Sequence, residues 1–137
     1  MSSTPHDIAG YPPPPQGFAH AASATGDRFV CLSGQVGSDE SGQLVAGGLG
    51  AQVEQALVNV ERGLDAAGAS LEDLVRLRFY VVGWEPSMLE EFLAGGAAGF
   101  ARLENMPRVA VTLIGVASLF TPDMLVEVEA EAVTAAA

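Results

Sequence analysis

The chain contains no lysine: its six basic residues are all arginine, set against 17 acidic residues and a formal net charge of −11. Without lysine, no side-chain amine can form a Schiff base. No run of basic residues is present to follow a phosphate backbone, so nucleic acid is not an expected partner. Cysteine is nearly absent too. Cys31 stands alone, which excludes an intrachain disulfide and a cysteine-rich metal site. It sits in the apolar run Phe29-Val30-Cys31-Leu32 and is expected to be a buried small hydrophobe. No apolar run approaches the ~18 residues that span a bilayer, and no basic stretch followed by an apolar one marks a signal peptide at the N-terminus. A cytoplasmic protein without membrane contact is expected. The two histidines, His6 and His20, lack metal-motif spacing, and no phosphate-binding or dinucleotide motif occurs. Ser33 lies in Ser-Gly-Gln, which is no nucleophile elbow.

What is present is apolar material. Of 137 residues, 49% are hydrophobic, enough for one domain with a real core. Residues 1–16 carry Pro12-Pro13-Pro14-Pro15 and no helix or strand period, which reads as a flexible arm. The domain is expected over 17–137. Phe29 to Ser33 reads as a strand, Gly37 to Gly42 as a turn cluster, and Gln43 to Ala46 as a short strand ended by Gly47-Gly48.

Val53, Ala56, Leu57, Val60, Leu64 and Ala67 recur at three- and four-residue steps, predicting a helix that Gly68 ends. Gln52, Glu54, Gln55, Glu61 and Asp65 fall mainly on its other, solvated face. Leu74 to Val82 alternates: Val75, Leu77, Phe79 and Val81 share one side, while Arg76, Arg78 and Tyr80 share the other. A second helix is expected over Ser87 to Arg102, weakened by Gly95, Gly96 and Gly99 unless these permit close packing. Two strands follow, about Val109 to Val116 and Leu125 to Ala132.

This order predicts an α+β fold, a mixed sheet with both helices on one face. The other sheet face is left to water or to another subunit. The row Arg76, Arg78, Tyr80 and the row Glu127, Glu129, Glu131 lie there, able to pair across strands or across a subunit boundary.

Several segments, read in order, carry a resemblance. Gly17-Phe18-Ala19-His20-Ala21, Leu32-Ser33-Gly34-Gln35-Val36-Gly37, the helix Gln52-Val53-Glu54-Gln55-Ala56-Leu57-Val58-Asn59, Ala66-Ala67-Gly68-Ala69 through Arg76, Gly115-Val116-Ala117-Ser118-Leu119 and Leu125-Val126-Glu127-Val128-Glu129-Ala130 together resemble the reactive-intermediate deaminase family (RidA, or YjgF/YER057c/UK114). The resemblance covers roughly residues 17 to 133. It implies a chorismate-mutase-like fold and a homotrimer with a cleft at each subunit interface. It also implies hydrolysis of small enamines and imines to keto acids and ammonia, with no metal or organic cofactor.

The same resemblance implies site residues. Glu127 stands where the family has the carboxylate that activates water or shuttles a proton. Ser33 stands where a serine lines the cleft. Phe18 stands where a tyrosine often closes it, so that hydroxyl is missing, and His20 lies two residues on. The family's carboxylate-gripping arginine, within Pro-x-Arg-Ser, falls on Val111 in an ungapped register, and its serine on Thr112. Met106-Pro107-Arg108 offers a shifted alternative in which Arg108 reaches the cleft from the strand end. A valine cannot grip a carboxylate, so the chain reads as a divergent member with two open readings. One is an enzyme acting through Glu127 on a less anionic enamine or imine than 2-aminoacrylate. The other is a non-catalytic homologue that binds a small metabolite or a protein.

Overall fold

A computed structural model of the chain describes residues 3–135. Two sheets and two helices make it up. β1 (Thr4–His6) pairs antiparallel with β3 (Ala21–Ser23) in a small two-stranded sheet. The main sheet has the order β2 (Phe18–Ala19), β6 (Val109–Val116), β5 (Leu74–Val82), β7 (Val126–Thr134), β4 (Arg28–Val36). β6 runs parallel to β2 and β5, and β7 runs antiparallel to β5 and β4. The expected mixed sheet is therefore present, with α1 (Gly48–Ala66) and α2 (Leu89–Arg102) sharing one core with it.

The core follows the alternation of the strands. Leu77, Phe79 and Val81 of β5, Val126, Val128, Ala130 and Ala132 of β7, and Val30 and Leu32 of β4 are buried. They meet Val53, Leu57, Val60 and Leu64 from the apolar stripe of α1 and Phe92 from α2. Gly68 (φ 74°) turns the chain after α1, and Arg28 donates to the carbonyls of Ala67 at 2.9 Å and Gly68 at 3.0 Å, satisfying groups that a helix end leaves open.

The glycines of α2 serve helix–helix packing rather than contact with the sheet. A Cβ on Gly95 would overlap the backbone of Gly50 in α1, and one on Gly99 would meet Leu57. Gly96 is different, because a Cβ there would meet nothing.

Several expectations need correction. Residues 3–16 are not a structureless arm: Thr4–His6 form β1, and the Ser3 amide donates to the Glu72 carbonyl; residues 1–2 of that arm and 136–137 of the domain lie outside the described residues. Gln43–Ala46 form no strand. A single bridge joins Ser38 to Leu44 there, because the Asp39 carboxylate collects Ser41 and Gln43 in a tight turn. Cys31 is exposed, not buried. β4 is an edge strand whose buried positions are Val30 and Leu32, so Cys31 falls on the opposite side, across from Glu131.

Gln52 is buried rather than solvated. Its amide donates to the Asp123 carbonyl at 3.0 Å and accepts from the Leu125 amide at 2.9 Å, tying the β6–β7 connection to α1. Asn59, also buried, donates to the carbonyls of Val36 and Ser38, both at 2.8 Å.

Candidate functional site

The face of the main sheet turned away from the helices is open and mixes polar rows with exposed apolar side chains such as Phe29 and Ile114. Across β6, β5 and β7 the register places Thr112, Arg78 and Glu129 in one row. The next row holds Ile114, Tyr80 and Glu127, and Glu127 is itself opposite Val36 of β4. The two charge rows read from sequence thus pair across strands, arginine and tyrosine against glutamate.

The centre of this face is Glu129. The Tyr80 hydroxyl donates to Glu129 Oε1, and Arg78 Nη1 reaches the same oxygen at 3.2 Å. Arg78 also approaches Glu131 at 3.9 Å. The Tyr80 hydrogen bond, helped by Arg78, holds the Glu129 carboxyl below its ordinary value. The same bond to an anion raises the Tyr80 phenol, because loss of its proton would place two negative charges together.

Glu127 is positioned by the Ser-Gly-Gln segment. β4 and β7 slip register between Leu32 and Gln35, so that Ser33 and Gly34 lie together in a bulge opposite Glu129. The Gln35 side-chain amide donates to the Ser33 carbonyl at 3.0 Å. Gly34 lacks the Cβ that would overlap the Glu127 carboxylate. The Glu127 side chain therefore folds over the β4 backbone beside Ser33, half-buried at the sheet edge.

The residues singled out in sequence divide between two places. Ser33, Glu127 and Thr112 share the open face. Val111 is paired with buried Leu77 and packs on the core, so its side chain points to the helices. Phe18 is paired with buried Val109 and lines a cleft on the helix side. Arg108 lies beside Phe18: its Nη1 donates to the Phe18 carbonyl at 3.3 Å and meets Asp7 at 2.8 Å. His20 accepts from the Ile8 amide through Nδ1 at 3.0 Å and stacks edge-on with Tyr11, which fixes the N-terminal segment. Tyr80, Arg78 and Glu129 form the hydrogen-bonded centre of this face, and the sequence pattern showed them only as charge rows. Their alternation was visible, but the diagonal reach from Tyr80 to Glu129 depends on strand register.

Residues 11–134 match the family model described as endoribonuclease L-PSP. The chain belongs to this family, the RidA (YjgF/YER057c/UK114) family. A member of the conserved Rid family from Yersinia pestis, YyfB, described as of unknown function, has a solved structure that is 37% identical, with a TM-score of 0.82 over 97% of this chain and 99% of that one. A YjgF/YER057c/UK114 family member from Mycobacterium tuberculosis is 28% identical, with a TM-score of 0.59 over 97% of this chain and 100% of that one. A human protein named 2-iminobutanoate/2-iminopropanoate deaminase is 45% identical over 51 residues. That match spans only 36% of this chain and 37% of the human protein. The RidA-type α+β fold of mixed sheet and two helices stands on these likenesses and on the topology together. Among the described residues no helix is long and apolar enough to cross a membrane, and no cluster of histidine, cysteine and carboxylates could hold a metal ion.

Proposed function

We propose that this RidA-family chain is an enamine/imine deaminase-type hydrolase whose water-activating group is Glu127. The observation that carries this reading is the seating of the Glu127 carboxylate in the Ser33–Gly34 bulge. A carboxylate held there can take a proton from water as the oxygen attacks the C=N carbon, then return it to nitrogen. The resulting carbinolamine collapses to a carbonyl compound and ammonia, so that imine plus one water gives both products. An enamine first takes a proton on carbon to become the imine. Ser33 and Thr112, both exposed on that face, supply hydroxyls to orient the substrate.

The substrate is less anionic than the 2-aminoacrylate type. Val111 is turned into the core, and the nearest guanidinium on the open face, that of Arg78, is already engaged by Glu129. The open face carries three glutamates in one row, which also disfavours RNA as a substrate. We propose further that the chain works as a homotrimer whose clefts form between subunits, without a cofactor, in the cytoplasm. The uncovered sheet face supports an assembly that closes over it. The inward Val111 favours a second reading, a non-catalytic homologue that binds a metabolite or a protein partner.

Freshly generated 2-aminoacrylate and an uncharged imine, each followed by carbonyl release, separate these readings. The deaminase reading expects turnover of the uncharged imine that Glu127→Ala abolishes and Arg108→Ala spares. Fast turnover of 2-aminoacrylate would overturn the substrate assignment. No turnover of either supports the binding reading. Sedimentation at micromolar concentration showing a monomer would remove the trimer.

A further inference from the structure

Glu127 stands at a boundary on the open face. On one side of its row lie the charged rows, first Thr112, Arg78 and Glu129, then Arg76 and Glu131. On the other side the face is apolar. Ile114 and Tyr80 share the row of Glu127, and Val116 and Val82 form the next one. Strand alternation puts all four on this face, because Leu77, Phe79 and Val81 of β5 and Val111 and Leu113 of β6 turn to the core.

This patch is not a margin of the core. Ile114 is 39% exposed, and Val82 and Val116 are half-buried. Among the described residues, the core and the side chains packed against it are built without these three. The backbone beneath the patch is fixed. The Val82 amide donates to the Leu125 carbonyl and the Gly83 amide to the Val116 carbonyl, both at 3.0 Å. The Tyr80 ring is fixed as well. Its hydroxyl donates to Glu129 Oε1, the oxygen that Arg78 also holds, so the ring cannot leave the sheet without losing that bond. An aromatic surface held in place before binding receives another ring at little entropic cost.

We propose that Tyr80, Ile114, Val82 and Val116 are the specificity-determining surface of the Glu127 site, and that the substrate is an imine whose carbon carries an aryl group. This rests on Glu127 as the water-activating group and adds the chemistry of the substrate's other end. Neighbouring strands lie about 4.8 Å apart, so Tyr80 is one strand from Glu127 and Ile114 is two. A phenyl group on the attacked carbon covers that span and lies over the Tyr80 ring. The nitrogen is left on the side of the Thr112 hydroxyl. A charged or strongly polar substituent in the same place would lose its water and gain no partner from the patch. A methyl group would leave most of the patch wet, so apolar burial selects the ring.

The test uses two uncharged imines released in situ by a flavin-dependent amine oxidase, benzaldimine from benzylamine and ethanimine from ethylamine. Each takes up one water and gives its aldehyde and ammonia. The expected kcat/KM for benzaldimine is about tenfold that for ethanimine. Ile114→Thr and Tyr80→Thr, both β-branched replacements suited to a strand, bring the ratio to about one through a higher KM for benzaldimine. Phe29→Thr changes an exposed ring on the same face, opposite Val133 and far along β7 from Glu127, and leaves the ratio as it is. Equal kcat/KM for the two imines in the wild type would overturn the proposal. So would a ratio that survives both threonine variants; loss of assembly in sedimentation without a change in ratio would assign the patch to a subunit contact instead. Benzamide, a planar neutral analogue followed by ligand-observed NMR, separates this proposal from the deaminase reading. Absence of turnover with both imines removes that reading, while saturable benzamide binding that both threonine variants weaken about tenfold still supports the aryl surface. No saturable binding at millimolar benzamide, with no turnover, overturns both.

Discussion

The Glu127 carboxylate lies across the backbone of Gly34, in the space that a Cβ at position 34 would fill. The glycine of the Ser-Gly-Gln segment is thus required by a side chain on the neighbouring strand and not by its own backbone, since Gly34 is not among the positive-φ glycines. Gly34→Ala is expected to expel Glu127 from the bulge while β4 stays paired with β7. Imine turnover should then fall as far as it does in Glu127→Ala. Parallel assays of the two variants and the double variant check this. Additive losses in the double variant would show that Gly34 acts separately from Glu127.

Tyr80, Arg78 and Glu129 make the open face sensitive to pH. The folded-state pKa of Glu129 is depressed, first by the Tyr80 hydroxyl and then by Arg78. The stability this contributes is present above the ordinary carboxylate range and is lost as pH falls through the depressed value. Tyr80→Phe should therefore lower the melting temperature near neutral pH, and the deficit should shrink as the solution is acidified through the carboxylate range. Glu129 has a side-chain exposure of 38%, so solvent screens the effect and the shift will be small. Thermal melts of both proteins across an acid series read it directly. A deficit that grows on acidification would contradict the assigned hydrogen bond.

Much of the fold was legible because alternation and helical period both act locally. Leu77, Phe79 and Val81 announced the buried side of β5, and Val53, Leu57, Val60 and Leu64 announced the stripe of α1. The failures have non-local causes. Cys31 looked buried because its neighbours are apolar, but an edge strand with one covered face buries only alternate residues. Gln52 looked like a solvated helix position, yet it holds the connection at Asp123–Leu125, and Asn59, to which the sequence pattern gave no such role, holds Val36 and Ser38. The candidate site was half visible. Glu127, Ser33 and Thr112 emerged from motif and register, but the Tyr80–Glu129 contact is diagonal and depends on a sheet order that no short window of sequence encodes.

Asn59 offers a direct measure of those hidden ties. It is buried, and its amide serves two backbone carbonyls at the end of β4. Asn59→Ala leaves both without that donor, which should cost about 1–3 kcal/mol. Urea unfolding should show a lower midpoint at an unchanged slope. A change confined to the slope would instead place the effect in the unfolded ensemble.

The glycines of α2 give one substitution with two opposite outcomes. Gly95 abuts the backbone of Gly50, so an added Cβ must push the two helices apart. Gly95→Ala should destabilise by about 1–3 kcal/mol, as overpacking does. Gly96 faces open space, so Gly96→Ala meets no obstruction and gains helix propensity. It should stabilise by up to ~1 kcal/mol. The two sites are adjacent in one helix and receive the same methyl group, so composition and net charge cancel in the comparison. Denaturant midpoints of the two variants should therefore move to opposite sides of the wild type. A shift of both to the stabilised side would mean that the α1–α2 contact at Gly50 yields more readily than its backbone geometry allows, and a shift of both to the destabilised side would mean that position 96 is not open space.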